Sequence, residues 1–454
     1  MRGDNAALPS VRVPAERRFR AAACVLGVVA GLHGLVYVPF AGHRVGDTES
    51  YVVAAKAILH GGYTTPLGRV DVTGLKIPPS AVGSPERQTY RTPGYPLLLA
   101  ATGGGGPGAP TDAIIAVQAL LAGLTTFVLT FAFRRLWGER FALFAGAISA
   151  LDPFPKHYVT RILSEVLAGF LVAVTAYAFV RAWQDRSARW WAATGVAAAA
   201  LTLTRPLFAL AIPLLALAAL PRPRLLGAVL AGCALLLAPW LGWTAAVTGR
   251  PALSSFGEGW NLLLAAHGEG LHYTPVQVEG SASYRRDFYS VHRFAPTAQE
   301  LRTNPDAHPR YLVKADSEQR RLATNLYLHR LEHEPWQVAW EVAYRSYFLW
   351  EAHEDWVQPR WLLPFLRALD WVSLALAAAG GWLAIRAGGA ARALAVFLLV
   401  FTFVNGVHHV EARYAIPVRG LYLAFAALAL FQLWARHSPR TGRNTPARTI
   451  GGVT

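Results

Sequence analysis

Only two cysteines, Cys24 and Cys233, occur in 454 residues, beside a single methionine. Both cysteines lie inside apolar runs, where they read as small lipid-buried side chains and not as a disulfide, so they carry no signal about redox compartment. Charge is scarce too: 15% of residues are Asp, Glu, Lys or Arg, where a soluble domain carries about a quarter. The 54% hydrophobic content is gathered into runs of roughly 18 to 25 residues, the length that crosses a bilayer. Tandem repeats are lacking, and low complexity is confined to Gly103–Gly106. These absences exclude an ordinary soluble globular protein.

What charge there is has a pattern. Lys and Arg outnumber Asp and Glu by 43 to 27, a net +16, which on composition alone would suit nucleic acid. The arginines instead recur at alternate ends of the apolar runs, as the positive-inside rule requires of membrane proteins. The spans are expected at about 19–40, 112–133, 141–152, 164–183, 190–204, 206–220, 225–247, 362–385, 391–409 and 414–435. With the N-terminus inside, every inside joint is basic: Arg134, Arg135 and Arg140; Arg181, Arg186 and Arg189; Arg222 and Arg224; Arg386 and Arg392; and the tail from Arg436. The first apolar run, preceded by Arg12, Arg17, Arg18 and Arg20, is too long for a signal peptide and lacks a cleavage site, so it reads as an uncleaved helix.

The fold class is an all-α polytopic membrane protein, with about ten transmembrane helices, external amphipathic helices and one larger external loop domain. Residues 1–248 form an N-terminal transmembrane module with a first external loop at 41–111. A soluble, mostly helical segment covers 249–360, C-terminal transmembrane helices cover 361–435, and 436–454 is a basic tail. Within the soluble segment the helical pattern over 311–352 breaks at Glu334-Pro335, and Tyr344, Tyr347, Phe348 and Trp350 are aromatics suited to a membrane interface.

The first loop opens with Gly46-Asp47-Thr48-Glu49-Ser50-Tyr51 directly after the first span. Tyr51, Ala54, Ala55, Ile58 and Leu59 share one helical face, so a short helix along the membrane surface is expected, with Asp47 at its N-terminus. There Asp47 is either a helix cap or a proton acceptor, and both roles suit an ionised carboxylate beside the helix dipole. The apolar stretch 93–100 is too short to span and reads as a second interfacial element.

Five stretches in order, GDTESYVVAAKAILHGGY with RTPGYPLLLA, ALDPFPKHYVTRILSEVLAGFL, LTLTRP, APWLGWTAAVTGRPALSS and EARYAIP, cover about residues 20–435. Together the chain resembles the GT-C superfamily of membrane glycosyltransferases, in the branch of protein O-mannosyltransferases and the lipid A aminoarabinose transferase. The resemblance implies a sugar transferred from a polyprenyl-phosphate donor to an acceptor on the outer face of the plasma (inner) membrane. An Asp of the first external loop then serves as base, here Asp47. Glu49 departs from the commonest form, in which a second acid directly follows the Asp; it is read as a second catalytic candidate or a solvated acid.

A departing lipid phosphate needs positive charge, and outer-side arginines supply it: Arg91, Arg161, Arg205 and Arg413, with Lys156, His157 and His408 as lesser candidates. Each could equally be a structural ion pair or snorkel to headgroups. Glu165 reads as a partner of Arg161 four residues earlier, and Glu411 as a local partner of Arg413. His409, Glu411 and Asn261 are candidates for an acceptor groove. Adjacent His408-His409 lack the i, i+4 spacing of helical metal ligands, so no metal site is assigned, no cofactor is required and a divalent ion is not favoured. Expected partners are a polyprenyl-phosphate-linked sugar, a protein, lipid or polysaccharide acceptor, and membrane lipids, but no nucleic acid. A polytopic transporter or flippase of lipid-linked sugar is the alternative, weakened by charge gathered on one side without a repeat.

Overall fold

All ten apolar runs fold as helical segments, but they differ in whether each can cross a bilayer alone. The structure is a computed structural model that describes residues 15–40, 47–104, 111–269, 274–351 and 363–437. The extreme N-terminal tail, most of the basic C-terminal tail and the Gly-rich break after Gly104 lie outside the described residues.

From the N-terminus come α1 (Ala15–Leu35), α2 (Thr48–Leu59), α3 (Gly94–Ala101), α4 (Thr111–Trp137), α5 (Glu139–Leu151), the short α6 (Pro153–His157), α7 (Glu165–Asp185), α8 (Ala188–Thr204), α9 (Ala211–Ala219) and α10 (Pro223–Thr248). The segment beyond 249 supplies α11 (Glu258–Ala266), α12 (Pro275–Gly280), α13 (Ala282–Tyr289), α14 (Ala298–Thr303), α15 (Ala307–His333) and α16 (Pro335–Phe348). Last come α17 (Leu363–Ala387), α18 (Gly389–Val407) and α19 (Arg419–His437). Between α2 and α3, β1 (Thr64–Pro66) and β2 (Pro85–Arg87) pair antiparallel with Thr65 opposite Glu86.

Among the described residues seven helices are long and apolar enough to cross a membrane: α1, α4, α7, α10, α17, α18 and the stretch Ala412–Arg436 that contains α19. The other three expected spans are shorter. With 13 residues, α5 reaches only about 20 Å at 1.5 Å per residue, against a hydrocarbon core of about 30 Å. Its end is set by Asp152-Pro153, since proline cannot continue the hydrogen-bond ladder behind it. Pro206 likewise stops α8, leaving Arg205 extended at φ −143°.

The bundle is held by close helix crossings and aromatic packing. At the α8–α10 crossing Gly195 faces the Val229 carbonyl and Gly232 faces the Ala192 carbonyl so closely that a Cβ on either would strike backbone. Phe133, Phe141, Trp191, Phe208 and Phe401 fill the core around it. At one end of the bundle the expected basic joints form pairs such as Arg134–Glu16 (2.7 Å) and Arg135–Asp185 (3.2 Å). At the other end α2, α3, the hairpin and α11–α16 assemble. There α2 buries Tyr51, Ala54 and Ala55 as expected, whereas Leu59 at the end of the face is exposed. The α11–α16 group has its own core of Leu263, Leu264, Tyr284, Ala323, Tyr327 and Val338. Its longest helix, α15, ends where Glu334-Pro335 starts α16.

Candidate active site

Five chain segments far apart in sequence end at the same side of the bundle, and each brings a charge. Asp47 precedes α2, Arg91 lies just before α3, Glu165 opens α7, Arg205 closes α8, and His409, Glu411 and Arg413 fill the joint between α18 and α19. Asp47 holds helical angles (φ −77°, ψ −16°) and its side chain makes no cap hydrogen bond to α2. Both of its oxygens instead accept from guanidinium groups: Oδ1 from Arg91 Nη2 at 2.7 Å and Oδ2 from Arg413 Nη2 at 2.9 Å. The helix-cap role is thus not the one its carboxylate plays.

The pairing continues outward. Arg91 Nε donates to Ser50 Oγ at 2.8 Å, and its guanidinium lies over the rings of Tyr51 and Tyr90. Arg413 donates to Glu411 from Nη2 at 2.9 Å and faces it again through Nε at 2.6 Å. It also stands 4.0 Å from Glu165, whose nearer partner is Arg205 at 2.7 Å. Behind Glu411, His409 Nδ1 sits 2.5 Å from Glu269 Oε1, and Nε2 is 3.8 Å from Glu411. The result is one connected cluster of four carboxylates (Asp47, Glu165, Glu269, Glu411) and four cationic groups (Arg91, Arg205, Arg413, His409).

Its protonation follows from the pairing. Burial opposes the charge on Asp47, yet Arg91 and Arg413 outweigh it and hold the carboxyl below its usual range. Burial likewise opposes ionisation of Glu411, but His409 and Arg413 bring it down to about 2. Against its own burial, His409 is raised to about 9 by Glu269 and Glu411 and is an imidazolium at neutral pH. Leaving one ion unpaired here would cost several kcal/mol, which is why the groups pair so completely.

Most of the residues singled out from the sequence converge, with differences. Asp47, Arg91, Arg205, Arg413, His409 and Glu411 all belong to the cluster. Glu49 is exposed and is not among the carboxylates that pair with Arg91 or Arg413. Asn261 reaches the cluster through its backbone, its carbonyl accepting from the His409 amide at 2.9 Å, while its side-chain Oδ1 is buried with no hydrogen-bond partner among the described residues. The expected Arg161–Glu165 pair does not form. Residues 161–164 are a turn and α7 begins only at Glu165, so the four-residue spacing is not helical. Arg161 lies over Tyr158 and meets His157 Nε2 at 2.9 Å, and no carboxylate pairs with it among the described residues. Burial, with Arg161 beside it, lowers His157 to about 4, so this histidine is a neutral acceptor. Thr48 Oγ1 donates to Ile162 O at 3.2 Å, tying the Arg161 turn to the start of α2. Glu269 was not foreseen: it is 140 residues from His409, and nothing in HGEG marks it.

Among the described residues no group of three or more His, Cys, Asp or Glu side chains is placed to hold a metal ion. Each carboxylate of the cluster already faces a cation.

A bundle whose helix ends meet in a charged cluster also has counterparts in overall fold among solved structures. The archaeal oligosaccharyltransferase AglB from Archaeoglobus fulgidus, in complex with an inhibitory peptide and a dolichol-phosphate, matches at 12% identity and a TM-score of 0.52. The match covers 95% of this chain and 53% of that one. The apo form of the Archaeoglobus fulgidus enzyme matches at 13% identity, TM-score 0.52, over 93% and 51%. ArnT from Cupriavidus metallidurans bound to undecaprenyl phosphate aligns over 91% and 76% at 15% identity, with a TM-score of 0.36. The chain spans about half the length of the oligosaccharyltransferases it matches, and no curated protein matches it. More particularly, residues 107–243 match the family model of the dolichyl-phosphate-mannose-protein mannosyltransferases. The chain has the apolar helices of a multi-pass membrane protein, and over that segment it is similar to those mannosyltransferases.

Proposed function

We propose that this chain is an inverting glycosyltransferase that moves a monosaccharide from a polyprenyl-phosphate donor to an acceptor hydroxyl on the extracytoplasmic face of the plasma (inner) membrane. The observation that carries the reading is Asp47, a carboxylate at a membrane boundary held between two arginines that a phosphate could claim instead. The fold shared with a dolichol-phosphate-bound oligosaccharyltransferase supports the class of donor.

The acceptor oxygen attacks the anomeric carbon as the bond to the carrier phosphate breaks, and Asp47 takes the hydroxyl proton. One displacement inverts the anomeric centre, with no covalent sugar on a carboxylate. Between Arg91 and Arg413 Asp47 is a weak base, because two guanidinium groups stabilise its charge. When the donor phosphate draws Arg91 and Arg413 toward itself, that stabilisation falls and Asp47 becomes the better proton acceptor. Arg161 faces no carboxylate among the described residues and supplies the standing positive charge for the phosphate. Arg205 keeps Glu165 and Arg413 in register. Glu411 and His409 border the acceptor side, and Glu49 assists from solvent.

Asp47→Asn tests this directly. The amide keeps the size of the side chain and should lower transfer by about 10²-fold or more while donor binding and folding persist. Transfer at the wild-type rate by this variant would remove Asp47 as the base. A flippase would move lipid-linked sugar across vesicles without any glycosylated product.

A further inference from the structure

The sequence of α16, PWQVAWEVAYRSYF, carries two faces. At 3.6 residues per turn Trp336, Trp340 and Tyr347 fall within an arc of about 40°, and Val338, Glu341 and Arg345 lie opposite. The second face is buried. On the first, Trp336 is 86% and Trp340 60% exposed, a bare aromatic surface that water disfavours.

The depth of α16 shows what covers that surface. Its C-terminal half runs antiparallel along the transmembrane helix α18: Val342 and Ser346 press on Gly406, leaving no room for a side chain there. Ser346 Oγ donates to the Thr402 carbonyl at 3.5 Å, and Trp350 Nε1 to Thr402 Oγ1 at 3.2 Å. Thr402 is about 7.5 Å inside the end of α18 at Val407. Trp350 stacks on Tyr422 of α19 at 4.3 Å. Tyr347 stacks on Trp371 of α17 at 4.1 Å, and that indole is itself 56% exposed on a helix long and apolar enough to cross a membrane. The aromatic face of α16 is therefore continuous with the lipid-facing side of a membrane-crossing helix.

We infer that α16 is a re-entrant helix whose Trp336–Trp340 face is seated in the lipid headgroup boundary on the side of the membrane that holds the site. Indole rings favour that layer, apolar body inward and N–H toward water. The seat goes beyond the proposed glycosyl transfer and would hold for a transporter as well. It reaches the charged cluster through Arg345, which is fully buried. Arg345 Nε donates to Gly406 O at 2.7 Å, Nη2 to the Tyr327 hydroxyl at 2.9 Å, and Nη1 to the carbonyl of Glu269. The depth of α16 thus sets the height of Glu269, the carboxylate on His409.

The test places single cysteines in a full-length chain in which Cys24→Ser and Cys233→Ala remove the native thiols. Trp336→Cys and Trp340→Cys are spin-labelled in phosphatidylcholine–phosphatidylglycerol vesicles, with Val372→Cys as lipid-facing and Arg321→Cys as water-facing references. Collision with a water-soluble nickel chelate should be several-fold lower at 336 and 340 than at 321, and collision with oxygen should approach that at 372. Labels at 336 and 340 as nickel-accessible as that at 321 would overturn the inference and leave the face to a soluble partner. As a second measurement, the unlabelled Trp336→Phe/Trp340→Phe protein should lose part of the quenching that brominated lipids cause in wild type. Equal quenching of the two proteins would also overturn it.

Discussion

Arg413 and Arg161 separate the structural from the ligand-directed roles of the arginines. Arg413 faces Asp47, Glu411 and Glu165 together; removing it leaves three carboxylates crowded without their shared cation. Arg413→Gln should therefore cost about 3–5 kcal/mol of stability as well as activity, visible as a lowered Tm in detergent. Among the described residues Arg161 meets a neutral histidine and a ring but no carboxylate. Arg161→Gln should leave Tm within a few degrees of wild type and raise KM for the lipid donor about tenfold, with a smaller change in kcat; an unchanged KM would exclude it from the phosphate. The pH dependence of kcat/KM belongs to the same side chains. Asp47 must be ionised, and its depressed pKa keeps the acid limb below the ordinary carboxylate range. His409 loses its proton near pH 9, so a basic limb should appear there and be absent in His409→Gln.

At the level of helices, the α8–α10 crossing links packing to the site, because α8 ends at Arg205. Gly195→Leu must push α10 away from α8, and overpacking of this kind costs about 1–3 kcal/mol. The displacement carries Arg205 from Glu165, so activity should fall further than the Tm shift alone accounts for; Gly227→Leu, at an open position of α10, should do neither. This scale was the most legible from the sequence. Apolar runs of bilayer length, proline stops and basic joints are local signals: they marked where apolar helices form, seven of them long enough to span among the described residues, and the break at Pro335. The extents of α5, α8 and the Pro206–Ala219 segment came close to those expected; a hydropathy run marks an apolar helix but does not show whether so short a one crosses the bilayer by itself. Residue chemistry was half legible: charge beside an apolar span marked Asp47, Arg205 and Arg413, since ions at that depth need partners. Which partners they take was not, because Asp47 and Arg413 are 366 residues apart and only the fold brings them together. Glu269 and Arg345 lie in a polar segment, where charge is ordinary and draws no notice.

For the whole molecule, the extramembrane helices are fastened to the first loop by a buried imidazolium. His308 of α15 gives Nε2–H to Asp71 at 2.9 Å and Nδ1–H to Glu86 beside β1. Burial works against that charge, but the two carboxylates raise His308 to about 9. Since the folded value lies above the unfolded one of about 6.5, the stabilisation is complete below pH 6.5 and is lost as pH rises through 9. Hydrogen exchange of α15 and the β1–β2 hairpin should accelerate between pH 7 and 9.5 in wild type, and His308→Gln should exchange fast throughout. A wild-type rate that follows only the intrinsic pH dependence of exchange would dismiss this fastening as a pH-sensitive one.

Four acids facing four cations make the cluster electrically neutral, and Arg161, which faces no carboxylate among the described residues, adds one positive charge. A sugar phosphodiester arrives with one negative charge and balances it. In the proposed reaction the carrier departs as a monoester with two, while Asp47, having accepted a proton, cancels one charge fewer. The surplus grows by one at the same moment as the debt, so substrate and product are both met by an equal and opposite field, and neither is trapped by it.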